Sequence, residues 1–109
     1  MTINLPQSLA NYFTAKNRHD IDGMLVPFAS GAKVRDEGKT HQGSASIRDW
    51  MEATTRKYRV PVEVVDAAAN GDAWRVTGIA SGNFPGSPAT LHYVFTLANE
   101  RITRLEIGA

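Results

Sequence analysis

The chain has 109 residues, 42% hydrophobic and 21% charged, with 12 basic and 11 acidic side chains and a net charge of +1. That length suits a single domain spanning 1–109, and the charge balance argues against nucleic acid or an anionic membrane as the main partner. The absence of cysteine excludes a disulfide scaffold, a thiol nucleophile and a thiolate metal site. No apolar run approaches the roughly 20 residues of a membrane span, and the first residues lack the basic-then-apolar order of a signal peptide, so a soluble cytoplasmic protein is expected.

In chain order, Leu5, Leu9, Tyr12, Phe13 and Lys16 recur at steps of three and four, which predicts an amphipathic helix over 5–17 opened by Pro6. Asp20 is placed to cap a second helix over 20–28, with Ile21, Met24, Leu25 and Phe28 on its apolar face. Residues 32–37 read as a short strand in which Val34 and Asp36 share a face. A turn-rich loop over 38–43 carries His41. Ser44 or Ser46 would then cap a third helix over 45–59, lined by Ile47, Trp50, Met51, Thr54 and Tyr58.

From residue 60 the period changes to two. Strands are expected over 60–68, 73–84, 90–98 and 101–107, with turn signals at Asn70-Gly71, Pro85 to Pro88 and Asn99-Glu100. Trp74, Val76, Gly78 and Ala80 fall on one face of the second of these strands, and Leu91, Tyr93, Phe95 and Leu97 on one face of the third. Helices followed by an antiparallel meander give an α+β domain, a curved antiparallel sheet wrapped around three helices from the first half of the chain. Ile79 and Val94 would point to the other sheet face, beside Arg75, Thr77, His92 and Thr96. That half-apolar face suits homodimer pairing, although scattered surface aliphatics would look the same.

Asp36 is the sharpest candidate. If Val34 faces in, so does Asp36, and a carboxylate facing an apolar cavity suits general-base proton transfer. The alternative is a strand-end carboxylate paired with Arg35, Lys39 or a loop amide. Tyr12 is either a donor to a developing oxyanion or a core aromatic. His41 is either a proton shuttle beside Asp36 or an exposed loop histidine. Trp50, Tyr58, Trp74, Phe84, Phe95 and Tyr93 either line a ligand pocket between helices and sheet or fill it. The three histidines lie in separate elements without paired spacing, so no metal is expected. No phosphate-loop or nucleophile-elbow spacing occurs either, and no cofactor is expected.

The element order resembles the cystatin-like cone of the nuclear transport factor 2-like superfamily, with the SnoaL-like polyketide cyclases and ketosteroid isomerases as the nearest comparison. The resemblance is carried by Tyr12, Asp20 to Gly23, Phe28-Ala29, Val34-Arg35-Asp36, Gly43, Ile47 to Trp50 and the ending from Phe95 to Ile102. It implies roles residue by residue. Tyr12 stands where the isomerases place a tyrosine that hydrogen-bonds the oxyanion, and Asp36 where they place the aspartate that moves the proton. Tyr93 stands where they place a protonated carboxylic acid, a departure that keeps a hydrogen-bond donor. The implied function is binding of a small, largely apolar molecule in a conical pocket, with isomerase, cyclase or dehydratase chemistry. The same fold also serves as a non-catalytic ligand-binding or dimerisation domain, and fold alone does not choose.

Overall fold

The computed structural model describes residues 4–82 and 84–108. The first two helices are α1 (Gln7–Asn17) and α2 (Ile21–Leu25). The predicted apolar stripe of α1 is the buried one, with Leu9, Tyr12, Phe13 and Ala15 turned inward. Asp20 caps α2, accepting from the Gly23 amide at 3.0 Å. This helix is only 5 residues long and stops before Pro27. Phe28, expected on its apolar face, instead begins a strand, because Pro27 has no N–H with which to continue the helical hydrogen bonds.

That strand, β1 (Phe28–Asp36), forms a hairpin with β2 (Lys39–Gln42) through a tight turn at Glu37-Gly38. Both turn residues have positive φ, 53° and 76°, as a two-residue hairpin turn requires. The segment expected to be a loop is therefore the edge strand of the sheet. Helix α3 (Ser44–Tyr58) follows. Its N-cap is Gly43, with no side-chain cap bond, rather than either serine.

The remaining strands are β3 (Val62–Asn70), β4 (Ala73–Ala80), β5 (Ala89–Ala98) and β6 (Arg101–Gly108). β4 ends at Ala80, short of the expected Phe84, and Asn83 within that expected span lies outside the described residues. Asn70 pairs with Ala73, so the turn is Gly71-Asp72, one residue later than the sequence signal suggested. Asn99 and Glu100 make the last hairpin turn, both at positive φ.

All six strands form one sheet in the order β2-β1-β6-β5-β4-β3. The sheet is curved and the helices pack against it, giving the expected α+β cone. It is mixed rather than wholly antiparallel, since β1 runs parallel to β6. This pairing joins the first-half hairpin to the end of the meander, a non-local contact without a periodic trace in the sequence. Two bulges keep apolar residues inward. One, at Val65, leaves that residue 41% exposed and returns Ala67 to the core side. The other, near Thr103, lets Ile102 and Leu105, three residues apart, both be fully buried. Among the described residues, no helix is long and apolar enough to cross a membrane.

Candidate functional site

Between the inner sheet face and helices α1 and α3 lies a cavity of about 490 Å³. Its walls are mostly apolar, with Met24, Val62, Leu91 and Ile107 contributing, and several polar side chains converge on it. Small residues help keep it open, since Ala80 and Ala89 line the sheet side where larger side chains would project inward.

The buried face of α1 contributes Tyr12. Asp36 enters from the end of β1, where Ala32 and Val34 are buried and Asp36 continues their face half-buried. It pairs with none of Arg35, Lys39 or a loop amide. Its Oδ2 instead accepts a hydrogen bond from Trp50 Nε1 of α3 at 3.0 Å. Among the described residues its Oδ1 receives no hydrogen bond, which leaves that oxygen available to a ligand. Trp50 therefore both lines the cavity and orients the carboxylate.

Tyr93 arrives from β5, its ring stacked on Phe95 at 6.1 Å and edge-on to Phe13 at 5.2 Å. Tyr12 is held edge-on by Phe13, Phe28 and Phe95, at 5.1, 5.7 and 5.7 Å. Such edge-to-face contacts restrict the rings to one orientation. Both tyrosines are about 1% exposed. Burial pushes the Tyr12 hydroxyl well above its ordinary value, with further pushes from Tyr93 and then from the Asp36 charge. Burial likewise raises Tyr93, with Asp36 adding to it. Both phenols therefore stay protonated across the physiological range as neutral donors. Neither is engaged with a protein hydrogen-bond partner among the described residues.

At the mouth, Tyr58 donates to Glu37 Oε1 at 2.9 Å and meets Phe84 edge-on at 6.0 Å. Tyr58, Phe84 and Trp50 thus stand on the cavity wall with Asp36, Tyr12 and Tyr93. Three candidates do not. Phe95 is fully buried behind the two tyrosines, where it supports their rings. Trp74 lies toward the Gly71-Asp72 turn, six residues along β4 from Ala80, or about 20 Å at strand rise. The strand face was right for both, but the cavity occupies only one end of it. His41 sits on β2 on the far side of Trp50, ring centroids 6.2 Å apart, and lines a separate shallow groove that also touches Asp36.

Sequence reasoning gave Lys16 no role, yet its side chain lines the cavity one helical turn beyond Tyr12. It is half-buried, and burial lowers its pKa, an effect partly opposed by the Asp36 charge. The signal was present in the helical period, which placed Lys16 on the apolar stripe. Among the described residues, no cluster of three or more His, Asp or Glu side chains is arranged to hold a metal.

The matches to known proteins agree with this architecture. The SnoaL-like domain family profile matches residues 9–105. A candidate polyketide cyclase from Sinorhizobium meliloti is 40% identical, with 95% of each chain covered and a TM-score of 0.91. A ketosteroid isomerase-like fold protein from Catenulispora acidiphila, solved with trimethylamine, is 20% identical over 97% of this chain and 87% of its own, with a TM-score of 0.82. An NTF2-like protein from Cytophaga hutchinsonii is 15% identical over 99% of this chain and 91% of its own, with a TM-score of 0.78. No curated protein matches the sequence. With its profile match running from α1 into β6, on a six-stranded cone of the NTF2-like kind, the chain belongs to the SnoaL-like domain family.

Proposed function

We propose that the cavity binds a small, largely apolar carbonyl compound and that Asp36 moves a proton next to the carbonyl. The observation that carries this reading is the convergence on one apolar cavity of a carboxylate and two protonated, unengaged phenols. Asp36 takes a proton from the carbon α to the carbonyl. The C–H electrons form the C=C bond, and the carbonyl oxygen becomes an enolate oxygen that accepts hydrogen bonds from Tyr12 and Tyr93. Donors fixed by packing need no reorganisation as that charge develops. Collapse of the enolate then gives isomerisation if Asp36 returns the proton to another carbon. It gives cyclisation if the enolate carbon attacks a second carbonyl in the same molecule, whose oxygen then takes the proton from Asp36, and dehydration if a β-hydroxyl takes that proton and leaves as water.

The test is α-hydrogen exchange of a panel of cyclic ketones in deuterated water, followed by NMR. Asp36→Asn keeps the shape and removes the base, so exchange should fall by about 100-fold or more. Tyr12→Phe should cost less, because Tyr93 still donates. Wild-type protein that binds the ketones without accelerating exchange would refute the proton-transfer step and leave a ligand-binding domain.

A further inference from the structure

Lys16 takes no part in the proton-transfer scheme, yet it stands inside the same cavity. The same cavity is lined by Tyr12 one turn earlier, His19, Asp36 at the end of β1, Arg59, and the apolar Met24 and Val62. The ion pairs among the described residues are Arg48–Asp22 and Arg104–Glu106, so no carboxylate of the described residues lies within 4.0 Å of the Lys16 ammonium. Asp36 Oδ2 is engaged by Trp50 Nε1, and the Asp36 charge reaches Lys16 as a field across the cavity and not as an ion pair. A half-desolvated ammonium is tolerated while water still reaches it. A wholly apolar ligand filling the cavity would remove that water and leave the charge unpaired, which is strongly unfavourable. A ligand bringing its own anion would instead form a charge-assisted hydrogen bond in a water-poor site, where such bonds are strongest. The lowered Lys16 pKa agrees with this, because a matching anion would relieve the cost of holding the proton.

We propose that the ligand has an apolar body and a carboxylate, and that Lys16 is the specificity-determining residue that holds the carboxylate. This deepens the preceding reading and rests on it for the carbonyl end, which would lie toward Tyr12, Tyr93 and Asp36. The substrate class is then a small keto acid rather than a neutral ketone.

The test uses two probes of one shape and different charge, 2-naphthylacetate and 2-naphthylacetamide, titrated calorimetrically into the full chain at pH 7. The carboxylate should bind about tenfold tighter or better. Lys16→Met should abolish that preference without weakening the amide, and Lys16→Arg should retain part of it. Denaturation of each variant confirms that it is folded. Lys16→Met is expected to fold at least as well as the parent, since it removes a desolvated charge. Equal affinities for acid and amide, a preference that survives in Lys16→Met, or failure of both probes to bind at millimolar concentration would each overturn the proposal. Neither probe requires proton transfer. An intact carboxylate preference without ketone exchange would therefore refute only the catalytic reading, and exchange without the preference would refute only this one.

Discussion

Alkaline pH offers a direct probe of the two phenols on which the oxyanion argument depends. Tyr12 and Tyr93 have folded-state pKa values raised above the ordinary 10.0. Below pH 10 both are protonated in the folded and unfolded chains alike. Above it, the unfolded chain releases protons that the folded chain keeps, so the folded state binds more protons and stability falls as pH rises. Each tyrosine contributes a slope of about 1.4 kcal/mol per pH unit, so the pair gives about 2.7. The loss continues until the folded values are reached. Lys16 acts in the opposite direction. Its lowered pKa means that the folded chain loses that proton first, which adds stability as pH rises toward 10.5. Comparing wild type with Tyr12→Phe removes this and every other shared contribution. The assay is urea denaturation at stepped pH from about 8 to about 12, with phenolate absorbance recorded on the folded protein. The wild-type slope should exceed that of Tyr12→Phe by about 1.4 kcal/mol per pH unit above pH 10. Parallel curves, or phenolate signals from Tyr12 and Tyr93 rising near pH 10 in folded protein, would refute the claim that both hydroxyls are held as protonated donors.

Gly78→Ala would place a Cβ 2.6 Å from Val62 Cγ1 and 3.3 Å from Tyr93 Cε1. Val62 is buried and branched, so the clash should cost about 1–3 kcal/mol, read as a lower urea midpoint at unchanged slope. Asn17 ties the end of α1 to the edge strand β3, donating to the Val62 carbonyl at 3.0 Å and accepting from the Val62 amide at 2.8 Å. Asn17→Ala should therefore cost about 1–3 kcal/mol by the same measurement. We propose a homodimer across the outer sheet face, where Val94, opposite Arg75, is 37% exposed and Ile79, four residues further along β4, is half-buried. Light scattering at micromolar concentration should return twice the 11.9 kDa chain mass, and Val94→Glu should restore the single mass. A wild-type mass near that of one chain would refute the pairing.

Local periodicity carried most of the fold. The step of three and four in α1, and the alternation from Trp74 to Ala80 and from Leu91 to Leu97, name the residues that face the core. What escaped was decided by non-local contacts or by turn chemistry. Lys39 to Gln42 has neither apolar alternation nor β-branched enrichment beyond Thr40. It is a strand because the Glu37-Gly38 turn folds it back against β1. The extension of β1 back to Phe28 depends on the Ile102 amide, which bonds the Pro27 carbonyl at 2.9 Å, a contact 75 residues away in sequence.

For the cavity, the sequence separates inward from outward but not lined from filled. Phe95 and Tyr93 share a strand face, are two residues apart and are both buried, yet only Tyr93 reaches the cavity. The difference is what covers each ring: Phe95 lies under Tyr12 and Phe13 of α1, whereas Tyr93 borders the space that Asp36, Lys16 and Trp50 also line, and no local pattern encodes that. Asp36 and Lys16 show the other side of this limit. Each is a charged residue on an otherwise apolar stripe, at the end of its element. In a filled core such a residue would need a partner on the next layer. Asp36 finds one in Trp50, whereas Lys16, without an ion-pair partner among the described residues, lines the cavity within the field of Asp36. A charged residue in phase with the core is thus the legible mark of a cavity. On the proposed reading the two mark opposite requirements of one ligand, a proton to give and a negative charge to place.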